Sequence, residues 1–233
     1  TLMSKRGLNL GTEFRYLESD YSGTAQLDWM PSDTLRDDKR WSVNATHQGS
    51  IDSGWADNGF ALNLSLNRVS DDNYWRDFSR AGGSVTQLSA TDTALLADNT
   101  LLTQRLLAND ARLSWTNGPF SSMVRTLKWQ TLQDPTAPIV PPYDRMPQIA
   151  TRYASTSEAG LNLSADVDYT RFHSDSTRTN QANGQRMFSM LQASRTWRAP
   201  EGFITPKLQL HATQYQFDAP LGNGATQVSR VVP

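Results

Sequence analysis

The sequence contains no cysteine, which excludes disulfide scaffolds and thiolate metal sites within the chain. Its three histidines, His47, His173 and His211, have no metal-ligand spacing. Lysine and arginine number 22 and aspartate and glutamate 23, so the chain has neither the charge of a nucleic-acid clamp nor that of an acidic disordered tail. No apolar run approaches the roughly 20 residues of a membrane-spanning helix, and residues 1–7 do not read as a signal peptide. We therefore expect no metal, no cofactor and no nucleic-acid partner.

Apolar and polar residues alternate along much of the chain. The clearest segment sets Phe60, Leu62, Leu64 and Leu66 against Ala61, Asn63, Ser65 and Asn67. Residues 161–168 repeat the pattern with Leu161, Leu163, Ala165 and Val167 on one face. Successive side chains of a strand point to opposite faces, so each such segment predicts a strand that is half apolar and half polar.

About ten strands are predicted, and many approach the ~9–11 residues that span a membrane when tilted. Soluble strands average only about 5–6 residues. The fold class expected is all-β, specifically a fragment of a large antiparallel up-and-down transmembrane β-barrel. The predicted segments are 7–17, 24–30, 40–48, 60–67, 106–115, 120–132, 148–155, 161–168, 185–197 and 204–217.

The predicted links alternate in length. Short polar turns are expected at 18–23, 49–54, 116–119, 156–160 and 198–202, and longer links at 31–39, 70–99, 133–147, 173–184 and 218–225. Outer-membrane barrels have short periplasmic turns and longer outer loops. The short turns are therefore predicted on the periplasmic side and the long links outside. Asp71 and Asp72 are expected to begin a solvated loop.

Six aromatic residues lie near predicted strand ends: Tyr16, Trp29, Trp41, Trp115, Tyr169 and Trp197. An indole or phenol at the headgroup level keeps its ring in apolar surroundings and its polar tip in water. This placement is typical of the aromatic girdles of membrane barrels. Aromatic residues that cap the core of a soluble sheet are the alternative.

Several segments, in chain order, resemble those of one family: Lys5-Arg6-Gly7, Glu13-Phe14-Arg15-Tyr16-Leu17, Trp29-Met30-Pro31-Ser32-Asp33, Arg40-Trp41, Val69-Ser70-Asp71-Asp72-Asn73-Tyr74-Trp75-Arg76-Asp77-Phe78, Pro142-Tyr143-Asp144-Arg145-Met146-Pro147-Gln148-Ile149, Asp168-Tyr169-Thr170-Arg171-Phe172, Gly202-Phe203-Ile204-Thr205-Pro206-Lys207-Leu208 and Ser229-Arg230-Val231-Val232-Pro233. Together they resemble the LptD family of lipopolysaccharide-assembly outer-membrane proteins. No single motif is specific, but the ordered set is.

The resemblance implies that residues 1–233 are part of the outer-membrane β-barrel domain, without the family's N-terminal jelly roll, first barrel strands and C-terminal half. It implies location in the Gram-negative outer membrane and insertion of lipopolysaccharide into the outer leaflet. The implied partners are lipopolysaccharide, outer-membrane lipids, an LptE-type lipoprotein plug and periplasmic lipopolysaccharide-bridge proteins that bind the N-terminal domain. No enzymatic activity is expected.

The sugar portion of lipopolysaccharide needs a wet, polar lumen, which the polar strand faces would supply. Each candidate could equally be an ordinary lumen residue without a ligand. A general porin-like diffusion channel, a barrel-embedded hydrolase and a soluble sandwich are the alternatives. The lumen-lining candidates are Asn9, Glu13, Arg15, Asn63, Asn67, Asp110, Arg112, Asp166 and Asp168.

Overall fold

The computed structural model describes residues 1–78 and 105–233. These residues form fifteen strands and two four-residue helices. The elements are β1 (Leu2–Met3), β2 (Gly7–Leu8), β3 (Leu10–Leu17), β4 (Tyr21–Asp33), β5 (Asp38–Ile51), β6 (Phe60–Val69), α1 (Tyr74–Asp77), β7 (Leu106–Asn117), β8 (Phe120–Thr131), β9 (Asp144–Thr156), β10 (Leu161–His173), α2 (Ser176–Thr179), β11 (Gly184–Arg195), β12 (Trp197–Ala199), β13 (Gly202–Ile204), β14 (Lys207–Phe217) and β15 (Gln227–Val232).

Eleven strands are hydrogen-bonded in the order β3-β4-β5-β6-β7-β8-β9-β10-β11-β14-β15, so neighbours in sequence are neighbours in the sheet. β3, β4 and β5 pair antiparallel, and so do β9, β10, β11, β14 and β15. β1 pairs with β2, and β12 with β13, in separate two-stranded sheets. The predicted all-β antiparallel meander is confirmed, with an eleventh strand at its end. No helix of the described residues is long and apolar enough to cross a membrane.

The predicted long link at 31–39 is wrong. β4 and β5 run through most of it, and Asp33 pairs with Asp38 across a turn at residues 34–37. Pro31 lies where the pairing shifts register between Met30 and Asp33. Such an irregularity tolerates a residue with no N–H to donate.

Two other predicted links also differ. The link after β5 covers residues 52–59 because β5 continues to Ile51, and it is longer than predicted. The predicted turn at 198–202 lies within the β12–β13 hairpin. The predicted strict alternation of short and long links therefore fails at the links near residues 31–39 and 52–59. Residues 79–99 of the predicted 70–99 link lie outside the described residues.

The described chain divides into two compact units. Unit 1 contains the described residues within 1–50, 62–111 and 127–143. Its buried apolar cluster consists of Val69, Tyr74, Leu107 and Leu132, against which Trp75 and Phe78 pack. This cluster fixes α1 directly beyond the end of β6. Unit 2 contains residues 51–61, 112–126 and 144–233 and is built mainly on the long ladders of β9, β10, β11 and β14.

The apolar strand faces are exposed, and many buried side chains are polar. In unit 1, Phe14 and Trp29 are exposed, whereas Arg40, Asp33 and Asn67 are buried. In unit 2, Leu163, Val167 and Leu191 are exposed, whereas Thr170 is buried. A soluble sandwich would bury its apolar faces. Exposed apolar bands on long strands are what a lipid-facing wall requires.

Aromatic side chains lie at both ends of the exposed face of β4. Tyr21 and Trp29 share this face and are eight residues apart, about 26 Å at roughly 3.3 Å per residue. Trp29 pairs directly with Trp41. Tyr16 lies over Gly23, where a Cβ would overlap its hydroxyl, and it hydrogen-bonds His47 Nδ1 at 2.5 Å. At the strand tilt of about 35–45° in outer-membrane barrels, this distance projects to roughly 18–21 Å along the membrane normal, which is within their apolar band of about 25 Å.

Candidate functional site

The structure does not bring the nine predicted lumen residues into one site. Three lie in unit 2, namely Arg112, Asp166 and Asp168. The other six lie in unit 1: Asn9, Glu13, Arg15, Asn63, Asn67 and Asp110. They are therefore distributed along polar faces, and their role in binding stays a prediction.

Glu13 and Arg15 form an ion pair on the polar face of β3. The Arg15 side chain is 74% exposed and that of Glu13 39%. Exposed pairs contribute about 0–1 kcal/mol to stability, so both side chains are available to solvent or a ligand. Asn9, just before β3, and Asn63, on β6, are half-buried.

Asn67 is buried within a group of amide contacts at the end of β6. Asn44 Nδ2 donates to Asn67 Oδ1 at 2.9 Å, and the Asn67 backbone N–H donates to Asn109 Oδ1 at 3.0 Å. Two residues on, Gln130 accepts from the Val69 N–H at 3.0 Å and donates to its carbonyl at 2.8 Å. Side-chain amides thus take the place of backbone ladder bonds here, which keeps buried backbone groups satisfied.

Asp168 is the centre of a polar network in unit 2. It accepts hydrogen bonds from Gln148 Nε2 at 2.8 Å, Thr170 Oγ1 at 2.8 Å and Arg186 Nη2 at 2.9 Å. Asp166, two residues earlier on the same face of β10, lies 3.8 Å from the Nε of Arg152. These contacts hold the polar face of β9–β11 in one arrangement.

Unit 2 also contains a cavity of about 720 Å³. Asp166, Asp168 and Arg152 line it together with the apolar side chains Phe188 and Met190. Phe188 and Met190 pair directly with Asp168 and Asp166, so they share the polar face of the sheet. The face is therefore not uniformly polar, a feature that alternation alone does not predict.

Arg40 is a buried side chain that contacts three aspartates, and it was not among the predicted site residues. It is 2% exposed, and its Nε and Nη2 donate to the two oxygens of Asp71, each at 2.9 Å. Its Nη1 donates to Asp77 at 2.6 Å and to Asp33 at 3.1 Å. The rings of Tyr74 and Phe78 lie 5.2 and 4.9 Å from its guanidinium carbon. Arg40 thus binds the segment after β6 to β4 and β5.

Two further arginines complete this cluster. Arg6 Nη1 lies 2.6 Å from Asp33, and its Nη2 lies 2.8 Å from Asp77. Arg36 Nε donates to Asp77 at 3.0 Å. We call Arg6, Asp33, Arg36, Arg40, Asp71 and Asp77 the arginine–aspartate cluster. Asp71 and Asp72 were expected to begin a solvated loop: Asp72 is exposed, whereas Asp71 is 31% exposed and Arg40 binds both of its oxygens.

Asp77 is held in its ionised form. Burial opposes ionisation of this carboxyl, but hydrogen bonds from Arg36, Arg40 and Arg6 outweigh it and lower its pKa from 3.8 to about 2. Asp77 therefore remains an acceptor for all three arginines throughout the physiological pH range.

The other side of α1 is bound to the link after β8. Arg76 forms an ion pair with Asp134, and Thr136 donates both its N–H and its hydroxyl to Asp134 Oδ1. Arg105 donates to the carbonyls of Leu132 and Ala137 and lies 5.4 Å from the Trp75 ring. The helix is therefore clamped on two sides. Among residues 1–78 and 105–233, no group of three or more acidic or histidine side chains could hold a metal ion.

Comparison with known proteins identifies the family. The model of the family described as "LptD: LPS transport system D" matches residues 38–233. The chain is 59% identical over its full length to the LPS-assembly protein LptD of Albidiferax ferrireducens, and 50% identical to that of an Acidovorax strain. It is 32% identical over 93% of its length to the LptD of Bordetella pertussis. The chain belongs to the LptD family.

The matches cover 28%, 27% and 25% of these three relatives, so the chain spans about a quarter of their length. Membership confirms the resemblance drawn from the ordered motifs. The LptD family is an outer-membrane family of transport and assembly, and the exposed apolar strand faces suit that location.

Several residues of the family-like motifs prove to be contacts of the arginine–aspartate cluster. Arg6, Asp33, Arg40, Asp71 and Asp77 lie in four of these segments, separated by up to 71 residues. The ordered motifs were the signal that could have located the cluster. The alternation of apolar and polar residues could not have located the cluster, because it predicts the strand face of each residue but not the side chains that the residue contacts.

Proposed function

We propose that this chain is part of the barrel wall of a translocon that inserts lipopolysaccharide into the outer leaflet of the Gram-negative outer membrane. One observation supports this most: an LptD-family chain exposes apolar strand faces to its surroundings and gathers charged and amide side chains on the opposite faces. As part of this proposal, we assign residues 1–233 to the barrel domain.

The two faces suit the two parts of lipopolysaccharide. Sugars and phosphates need a wet surface with donors and acceptors, and the faces that carry Glu13, Arg15, Asp166 and Asp168 provide both. Acyl chains are costly to expose to water. We infer that the sugar portion passes along the polar faces while the acyl chains stay outside them.

The proposed partners are lipopolysaccharide, outer-membrane lipids and an LptE-type lipoprotein that fills the lumen. The resemblance assigns contact with periplasmic lipopolysaccharide-bridge proteins to an N-terminal domain, so no residue of this chain is proposed for it. No catalytic residue is proposed.

Photo-crosslinking tests this proposal. A photoreactive amino acid is placed at Ser164, on the polar face of β10, in the full-length protein in living cells. Leu163, on the apolar face beside it, is the matched control position. Adducts between position 164 and lipopolysaccharide that disappear when cellular ATP is depleted would support passage along the polar face. Absence of such adducts at position 164, in cells that insert lipopolysaccharide normally, would contradict it.

A further inference from the structure

The β12–β13 hairpin continues the β11–β14 ladder beyond its last pair. Ser194 pairs with Lys207 and Trp197 with Ile204, so one register runs through both ladders. The Thr196 and Thr205 hydroxyls hydrogen-bond at 3.0 Å between them. Trp197 and Ile204 therefore share a face with the exposed leucines of β11 and β14.

This shared face is apolar and open. Leu208 is 73% exposed, Ile204 66% and Trp197 48%. Leu191 and Leu210, which pair two steps further along the ladder, are also exposed. Continuity with a lipid-facing strand surface indicates that the hairpin meets the same bilayer.

Arg195 marks the level at which hydrocarbon ends on this face. It lies between Ala193 and Trp197, and an arginine is costly in the bilayer interior but tolerated near its surface. Its guanidinium carbon is 5.3 Å from the centre of the Trp197 ring, so the side chain extends toward the hairpin. Indole and guanidinium together are suited to the headgroup layer.

We propose that the hairpin is an interfacial anchor, in which Trp197, Ile204 and the Arg195 guanidinium contact the headgroups of anionic phospholipids. Arg195, Arg198 and Lys207 outnumber the one acidic residue of the segment, Glu201, which complements anionic lipid phosphates. Phospholipid is chosen over lipopolysaccharide because the hairpin lies at the same end of the sheet as the short turns at residues 118–119 and 157–160, the end predicted to be periplasmic. The link at residues 52–59 also lies at this end and is longer, with eight residues. The proposal uses the outer-membrane location and does not require lipopolysaccharide transport.

The neighbouring turn at residues 157–160 offers a matched control. Leu161 pairs with Arg195, so this turn lies at the same end of the sheet, beside the hairpin. It has no aromatic or basic residue. A probe in this turn should therefore remain in water, while a probe in the hairpin should not.

The test places a fluorescent amino acid at position 204 or 158 of the full-length protein, reconstituted in vesicles of phosphatidylethanolamine and phosphatidylglycerol without lipopolysaccharide. We expect emission from position 204 to be lost with lipids brominated near the headgroup and to be protected from iodide, and position 158 to show the reverse. Equal access of iodide to both positions would overturn the proposal. Protection that appears only when lipopolysaccharide is added would also overturn it.

A double variant tests whether Arg195 and Trp197 hold the hairpin at the bilayer surface. Arg195→Gln with Trp197→Ser should make the probe at position 204 open to iodide, while position 158 keeps its wild-type response and shows that the sheet is folded. Leu208 pairs with Ala193 on the hydrocarbon side of Arg195, so a probe at position 208 should stay protected in the double variant and shows that the sheet remains in the bilayer. Unchanged protection at position 204 in the double variant would show that the Arg195–Trp197 pair does not hold the hairpin at the bilayer surface.

Discussion

Replacing Arg40 should release the segment after β6. The Arg40→Met variant keeps much of the side-chain volume but removes the four hydrogen bonds that Arg40 donates to Asp71, Asp77 and Asp33. Asp33 is fully buried and would keep only its contact with Arg6 among the arginines. Loss of one partner from a buried ion pair costs about 3–5 kcal/mol.

Amide hydrogen exchange measures this release locally. The Ser70 N–H donates to the Trp41 carbonyl and the Phe78 N–H to that of Tyr74, so both amides are protected while the segment is docked. If opening of the segment becomes about 3 kcal/mol easier, these amides should exchange on the order of 100-fold faster. The full-length protein in detergent or bilayer suits mass-spectrometric detection.

Two controls make the result interpretable. Arg15→Gln removes an exposed ion pair, so it should cost less than about 1 kcal/mol and leave exchange at 70–78 unchanged. Arg40→Lys keeps the charge but loses the two parallel bonds to Asp71, so its effect should be intermediate. If Arg40→Met exchanges at the wild-type rate over residues 70–78, the cluster does not hold this segment.

Three further predictions concern other contacts. Because the pKa of Asp77 is lowered to about 2, its contribution of roughly 2 kcal/mol is complete above about pH 4 and is lost as the pH falls through 2, so pepsin should cleave near α1 increasingly over that window. The Asp77→Asn variant should show a weaker pH dependence, which Asp33 retains in part because its pKa is also lowered, despite its burial, by hydrogen bonds from Arg40 and Arg6. Gln130→Leu leaves the Val69 N–H and carbonyl without partners and should cost about 1–3 kcal/mol in urea unfolding; an unchanged midpoint and slope would refute the bridging role. Leu64→Arg should cost about 2–4 kcal/mol of folding free energy in bilayers if it faces the lipid midplane, and Asn63→Arg, on the other face, much less; equal costs would contradict the assignment of faces.

Alternation predicted the strands well where the apolar residues are regular. Segments 60–67 and 161–168 lie within β6 and β10. Their apolar residues repeat on one face, and a shift of one residue in strand register would move all of them to the other face, so only one register suits the sequence. The prediction failed at Pro31, where a register shift carries a proline inside β4. Proline normally indicates a strand end, and only the pairing with β5 shows otherwise.

The arginine–aspartate cluster could not be predicted from any one segment. Arg40 lies in a strand, Asp33 at the end of another, and Asp77 in a helix of four residues. Their meeting depends on the local turn at residues 34–37 and on the packing of Tyr74 and Leu132 in one cluster, which is a long-range contact. The same holds for Gln130 and Val69, since no pattern states that a side-chain amide will replace a ladder bond.

Membrane topology is a prediction that thiol labelling can decide. In intact cells, a reagent that cannot cross the outer membrane should modify a cysteine at position 180 in the link after α2 and leave one at position 117 untouched. The link position 90 should also react, and it lies outside the described residues. Reaction at position 117 with protection at position 180 would place the short turns outside.

Depletion and complementation of the full-length protein test the central claim most directly. Cells depleted of the natural protein should stop delivering newly made lipopolysaccharide to their surface, and the full-length protein that contains this chain should restore delivery. Pulse labelling followed by surface capture of lipopolysaccharide measures the rate, and uptake of a small sugar measures general permeability in the same cells. Restored delivery with unchanged sugar uptake is the result expected. Restored sugar uptake without lipopolysaccharide at the surface would contradict the account and indicate a diffusion channel.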